Sequence, residues 1–220
     1  MTSEELHDLL EEKYLQFNTS AFIDDDPVCI PHKFSKKQDV EISAFFAATF
    51  AWGQRITIIN KCNELFEMMD WAPHDFVLNH TESDLGRFSD FKHRTFNFID
   101  LKYFLLRLKK HYQANGSLEI LFLIGDNIKT KLTNFEKSFK DLPEFEPRTG
   151  KHLATPDRKS TCKRLNMFLR WMVRKDAIGV DFGIWNNISM AELHCPFDVH
   201  VERVGRALGL INRKQRDWQT

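Results

Sequence analysis

Apolar residues recur at every third or fourth position along most of the chain, which is the period of an amphipathic α-helix. The first series runs from Leu6 to Phe17 behind a capping box of Thr2 and Glu5, and it predicts a surface helix with one buried stripe. Residues 38–51 leave almost no polar face, which is typical of a helix at the centre of a core.

Further helical series have the same spacing and lie at residues 56–69, 98–108, 118–123, 128–139, 161–173 and from 198 onward. Residues 18–37, 143–160 and 176–195 are irregular connections in this pattern. The segment 143–160 holds three prolines and one glycine, which favours a hinge or a loop between lobes. We expect Ser160 or Thr161 to cap the helix that follows. No alternation of strands and helices is visible, so the pattern predicts an all-α fold.

The charge of the chain is balanced in total but uneven along its length. Thirty-one Lys and Arg residues match 31 Asp and Glu residues, so the global basic charge of many nucleic-acid-binding proteins is absent. Residues 1–26 nevertheless carry eight acidic residues and one Lys, whereas residues 148–175 carry nine basic residues and one acidic residue. The basic segment is compatible with a surface that contacts phosphates, and the alternative is a solvated helix face with a basic loop.

The four cysteines lie far apart and lack the paired spacing of a zinc or iron–sulfur site. We therefore expect a reduced protein with no metal and no other cofactor. No run approaches the roughly eighteen apolar residues that a membrane span requires, and the acidic N-terminal segment is unlike a leader peptide. These features predict a cytoplasmic protein that does not bind a membrane.

The most informative motif is HCPFDVHVERVGRALGL, which begins at His194 and ends at Leu210. It resembles the segment of the helix-hairpin-helix DNA glycosylase superfamily in which Pro-x-Asp-x-His opens a helix that ends in Leu-Gly-Leu. The matched carboxylate of that superfamily is catalytic, so the resemblance implies that Asp198 is a catalytic residue. A carboxylate suits this chemistry because cleavage of an N-glycosidic bond builds positive charge on the sugar. The structural alternative is that Asp198 only caps the helix.

Two other segments are similar to the same superfamily. Residues 160–174 resemble the helix on which bifunctional members place a Schiff-base lysine, and Lys163 is its nearest equivalent here, with Arg164 and Lys175 as alternatives. Residues 44–66 resemble an early helix pair whose linker carries a glutamine that inserts into the duplex. Gln54 occupies that place, and a glutamine that caps the following helix is the alternative.

The chain departs from the superfamily at three places. Residues 154–160 read ATPDRKS where the superfamily has a glycine-rich hairpin, and Lys163 lies thirty-five residues before Asp198, a wider spacing than usual. The helices that close the related fold are not expected, because the sequence ends at Thr220. We therefore do not expect lyase activity. Over its whole length the chain also resembles an uncharacterised bacterial family of unknown function that is distantly related to these glycosylases.

The remaining candidate residues fall into two groups. Those expected to contact nucleic acid carry charged or hydrogen-bonding side chains near the motifs: Gln54, Arg55, Arg94, Arg158, Lys159, Arg164 and His200. Those expected to line a base pocket are the aromatic residues Trp52, Phe182 and Trp185, because an extruded base stacks on aromatic rings. Burial of Trp52 in the core and a packed loop around the other two are the alternatives.

The sequence thus predicts an all-α, two-lobed fold resembling the helix-hairpin-helix glycosylases. One lobe would comprise residues 1–37 and 143–220, and the other residues 38–142. The expected function is excision of a damaged base from double-stranded DNA. A non-catalytic nucleic-acid- or protein-binding module on the same fold is one alternative. A helical metal-dependent phosphohydrolase built around His74 and Asp75 is the other.

Overall fold

The computed structural model describes residues 1–220, and nearly all of its regular structure is helical. The ten α-helices are α1 (Ser3–Phe17), α2 (Ala21–Asp24), α3 (Lys37–Phe50), α4 (Arg55–Glu67), α5 (Pro73–Asn79), α6 (Glu82–Leu85), α7 (Phe98–Ala114), α8 (Ile128–Phe139), α9 (Lys163–Val173) and α10 (Val199–Ala207). Short 3₁₀ helices lie at Pro27–Cys29, Pro31–Lys33, Gly86–Phe88, Leu118–Phe122, Pro147–His152, Pro156–Arg158 and Met190–Glu192. The prediction of an all-α protein is confirmed.

One antiparallel hairpin is the exception to this helical architecture. It consists of β1 (Lys92–His93) and β2 (Phe96–Asn97), with His93 opposite Phe96. The Phe96 ring is fully buried, so the hairpin attaches to the helical core through its side chains. No helix is both long and apolar enough to cross a membrane.

Helix α3 forms the centre of the core, as its apolar sequence predicts. Every residue from Val40 to Phe50 is buried, and α3 packs against α4, α5 and α9. The Phe45 ring lies 5.7 Å from that of Phe104 and 5.6 Å from that of Phe168. Large aromatic side chains thus fill the spaces between the helices that surround α3.

A single hydrophobic cluster of 45 buried residues extends from Val28 to Ile188. It includes Phe168 of α9, from one predicted lobe, and Phe45 of α3, from the other. The two predicted lobes therefore share a core, and their division at residues 38 and 142 stays a prediction.

Helix α1 differs from its prediction in one respect. The capping box of Thr2 and Glu5 is present, but the helix has no buried residue, so the expected buried stripe is wrong. Leu15 and Phe17 are 70% and 59% exposed. The attachments of α1 lie at its end, where the Arg174 guanidinium donates to the Tyr14 hydroxyl, and these contacts leave the apolar stripe uncovered.

The segment 143–160, for which the prolines favour a hinge or a loop between lobes, is folded into short 3₁₀ helices and is partly buried. Two of those prolines begin 3₁₀ helices, and Thr149, His152 and Thr155 are buried. Neither Ser160 nor Thr161 caps α9, because the N-cap position is Cys162 in the left-handed conformation, with φ of 50°.

Asp100 holds this segment to the start of α7. The carboxylate is fully buried, and it accepts a hydrogen bond from the Thr149 hydroxyl at 2.8 Å and one from the Asn97 amide at 3.0 Å. His152 Nε2 lies 3.3 Å from Asp100 Oδ2, and Arg148 Nη1 lies 2.8 Å from Asp100 Oδ1. Burial opposes ionisation, but His152, the Asn97 amide and Thr149 outweigh it and lower the pKa of Asp100 to about 2.

Asp100 is therefore expected to make stability depend on acid pH. A carboxyl whose pKa falls on folding stabilises the fold above its unfolded pKa, near 4, and this contribution is lost as the pH falls toward 2. Asp100→Asn should be less stable than the wild type at pH 7, and the difference should shrink by about 2 kcal/mol between pH 5 and pH 2. Denaturant unfolding at several pH values measures this difference, and a pH-independent difference would contradict the assignment.

Candidate functional site

A cavity of about 620 Å³ opens where the first turns of three helices meet. Its wall includes Arg55 from α4, Lys163 and Arg164 from α9, and His200 from α10. No N-cap side chain accepts a hydrogen bond from the first amides of α4 or α9. Helix N-termini and basic side chains both favour negative charge, which makes the cavity electrostatically suited to an anionic ligand.

Asp198 lines this cavity and caps the start of α10, where the sequence predicts a helix to begin. Its Oδ1 atom accepts hydrogen bonds from the amides of His200 at 2.9 Å and Val201 at 3.0 Å. Its Oδ2 atom lies 3.2 Å from Lys163 Nζ. Partial burial raises the pKa of Asp198, but the Val201 amide and Lys163 outweigh this effect and lower it below the usual range. The side chain is therefore both a helix cap and an anionic carboxylate on the cavity wall.

The ion pair brings together two residues that lie far apart in the sequence. Lys163 is the first residue of α9, and the preceding Thr161 hydroxyl donates to the Phe197 carbonyl oxygen at 3.0 Å, next to Asp198. This hydrogen bond holds the start of α9 against the approach to α10. Lys175, the other lysine considered, lies beyond the end of α9 and does not line the cavity.

Arg164 occupies the inner wall of the cavity beside Trp52. Its Nη1 atom donates to the Thr49 carbonyl oxygen at 2.7 Å, and its guanidinium carbon lies 4.8 Å from the centre of the Trp52 ring. Burial lowers the pKa of Arg164. Trp52 also packs edge-on against His93 and stacks on His152. Arg164 and Trp52 therefore form one fixed cationic and aromatic surface.

The other predicted nucleic-acid contacts are divided between the cavity and its surroundings. Gln54 is exposed at the N-cap of α4, next to the lining residues, but its side chain makes no capping hydrogen bond. The Arg94 side chain packs against Gly53, whose φ of 116° strongly favours glycine. Arg158 and Lys159 lie outside the cavity, and Arg158 donates to the carbonyl oxygen of Gly150 at 3.2 Å.

Two predicted base-pocket residues, Phe182 and Trp185, do not line the cavity. Trp185 is buried, and its Nε1–H donates to a carboxylate oxygen of Glu41 at 2.7 Å. Phe182 packs on His32 with ring centres 4.4 Å apart. Phe182 and Trp185 therefore belong to a loop packed on the core, which is the alternative to a base pocket for this segment.

The sequence patterns did not single out Asp26, which also lines the cavity. Its Oδ1 atom accepts from the Val28 amide at 3.1 Å, so it begins the 3₁₀ helix at Pro27–Cys29. The Asp-Pro dipeptide predicts such a start, but it gives no sign that Asp26 lines a cavity together with Lys163 and Asp198. Arg216, from the segment after α10, completes the same wall.

The structure contains no group of three or more His, Cys, Asp or Glu side chains placed to hold a metal ion. His74 packs edge-on against Tyr112, with ring centres 4.9 Å apart, and its backbone N–H donates to Asp39. The phosphohydrolase alternative requires further ligands around His74 and Asp75, and the fold does not bring them together.

The chain belongs to the DUF2400 family of proteins of unknown function, whose model matches residues 26–220. The matched region contains every residue of the cavity wall, from Asp26 to Arg216, and excludes α1. The prediction of an uncharacterised domain family is confirmed. No curated protein and no solved structure matches the chain, so the resemblance to helix-hairpin-helix glycosylases gains no support from these comparisons.

Proposed function

We propose that this protein binds double-stranded DNA and removes a damaged base by hydrolysis of its N-glycosidic bond. The observation that supports the proposal most directly is the position of Asp198. An anionic carboxylate, 26% exposed, lies on the wall of a cavity otherwise rich in cations. Such a group is suited to stabilise positive charge that develops on a sugar held inside the cavity.

The cavity suits a nucleotide in size and charge. About 620 Å³ lies within the range of small-molecule sites, and an extruded nucleotide would enter it with its phosphates toward the rim. Arg55, Lys163 and His200 lie close to the helix N-termini, where phosphate oxygens are favoured. The basic segment 148–175 would extend these contacts along the duplex backbone.

The aromatic wall would hold the extruded base. Trp52 is partly exposed on the cavity wall, with the Arg164 guanidinium 4.8 Å from the centre of its ring. Contact with the exposed part of this ring would offset part of the cost of leaving the duplex. Gln54, exposed beside Trp52, is the residue best placed to fill the gap left in the helix.

The ion pair favours base release without cleavage of the strand. In a hydrolytic reaction, Asp198 stabilises the cationic sugar, and water adds at C1′. A lysine nucleophile would instead need a free lone pair, which an ammonium paired with Asp198 does not have. We therefore assign Lys163 the role of holding Asp198 and the adjacent phosphate.

A panel of labelled duplexes, each with one altered base, tests the proposal. We expect wild-type protein to release at least one free base, detected by mass spectrometry, and to leave abasic sites that break only after alkali treatment. Breakage without alkali that disappears in Lys163→Gln would show that Lys163 acts as a nucleophile. The absence of base release across the panel would overturn the enzymatic proposal.

A non-catalytic DNA-binding module is the second candidate. It is favoured by the complete local satisfaction of Asp198, whose two oxygens are bonded to two amides and one ammonium. Helix capping and the ion pair are enough to explain the position of this carboxylate without a substrate. Salt-dependent binding of duplex DNA without release of any base would identify this function.

A further inference from the structure

A second carboxylate shares the cavity with Asp198 but has a different environment. The Asp26 side chain is only 15% exposed, and its Oδ1 atom is occupied by the Val28 amide. Its Oδ2 atom has no hydrogen-bond partner, because the nearest cation, Arg55 Nε, lies 3.9 Å away. Asp198, by contrast, has partners on both oxygens. One carboxylate is thus held as an anion, and the other keeps an oxygen free on the cavity wall.

Titratable side chains approach Asp26 from two helices and from its own 3₁₀ helix. Arg55 approaches from α4, Lys163 and Arg170 approach from α9, and Cys29 lies on the same 3₁₀ helix. Burial dominates over the Val28 amide and these cations, and it raises the pKa of Asp26. Two carboxyl groups in one cavity therefore have pKa values shifted in opposite directions, a pattern typical of an acid working beside an anion.

We propose that Asp26 is a second catalytic residue, a general acid that protonates the departing base through its Oδ2 atom while Asp198 stabilises the sugar. This inference rests on the proposed function. The Oδ2 proton moves to a ring nitrogen or carbonyl oxygen of the base, and the electron pair of the N-glycosidic bond leaves with that base. Water adds to C1′, and its released proton passes to Asp198 and then to solvent. Asp26 regains a proton from solvent, so the sum is hydrolysis.

The test compares bases that need protonation with one that does not. 7-Methylguanine already carries a positive charge and leaves without an acid, whereas neutral damaged bases need a proton as they depart. Asp26→Asn should slow release of a neutral base about 100-fold and change release of 7-methylguanine by less than about threefold. Asp198→Asn should slow both, because both reactions pass through a cationic sugar.

The pH profile gives a second measurement for neutral bases. Release by the wild type should fall as the pH rises through the pKa of Asp26, because the acid is lost, and this dependence should be absent in Asp26→Asn. The asparagine retains an oxygen for the Val28 amide, and thermal unfolding checks that the variant folds. Asp25→Asn is the matched control, since it makes the same chemical change at an exposed neighbour outside the cavity.

The outcomes separate the two proposals. Release of neutral bases by the wild type with selective loss in Asp26→Asn supports the general acid. Equal loss on neutral bases and 7-methylguanine, an unchanged pH profile, or a wild type that releases 7-methylguanine alone overturns this role of Asp26 and leaves the proposed function standing. A wild type that releases no base overturns both.

Discussion

Asp198→Asn is expected to slow base release about 100- to 1000-fold, the usual effect of removing one preorganised electrostatic group from an active site. The asparagine oxygen can still accept from the His200 and Val201 amides, so α10 should keep its cap. What disappears is the negative charge beside Lys163. Duplex binding should stay the same or tighten slightly, because a polyanion meets one negative charge fewer.

Single-turnover release and duplex binding, measured on the same substrate, check this expectation. Asp25→Asn is the control, because it removes a negative charge from an exposed residue outside the cavity. Wild-type release by Asp198→Asn would remove the carboxylate from the mechanism. Equal losses in both variants would point to a general effect of the protein's charge instead.

Glu41→Gln is expected to lower the free energy of unfolding by about 3 kcal/mol or more. Glu41 is fully buried on α3, and its carboxylate only accepts hydrogen bonds. One oxygen accepts from Trp185 Nε1 at 2.7 Å and from the Ser117 hydroxyl, and the other accepts from the Tyr112 hydroxyl at 2.8 Å and the Leu118 amide at 3.0 Å. A glutamine amide would place an N–H group against donors and leave them unpaired.

Denaturant unfolding with Trp fluorescence measures the loss, since Trp185 contacts the altered group directly. Glu67→Gln, on the exposed side of α4, makes the same chemical change and should stay within about 0.5 kcal/mol of the wild type. A small effect at Glu41 would mean that the core around Trp185 rearranges readily or admits water.

The sequence predicts the fold well where one periodic pattern determines the structure. The apolar run at 38–51 predicts the buried α3, and the PFDVH motif correctly places the start of α10 at Asp198. Spacing in the sequence does not show that Lys163 reaches Asp198, yet the resemblance nominated both residues for one site, and the structure places them 3.2 Å apart.

The remaining features depend on contacts between distant segments. Trp185 suits a base pocket as well as a core, and only its hydrogen bond with Glu41, 144 residues away, decides between them. Asp26 sits in an acidic, irregular stretch whose sequence is typical of a surface connection. The apolar stripe of α1 is a valid helical pattern, but a pattern cannot tell whether any neighbour covers it.

The cavity wall combines the first turns of α4, α9 and α10 with the segments that lead into them, and the other ends of α4 and α9 are anchored in the aromatic core. Its shape therefore depends both on the orientation of these helices and on the segments that precede them. Divergence of ligand preference among relatives should consequently proceed by changes in those segments and by exchange of single side chains on the wall. Volume changes deep in the interior, such as at Phe168, would tilt a helix and alter recognition and folding together.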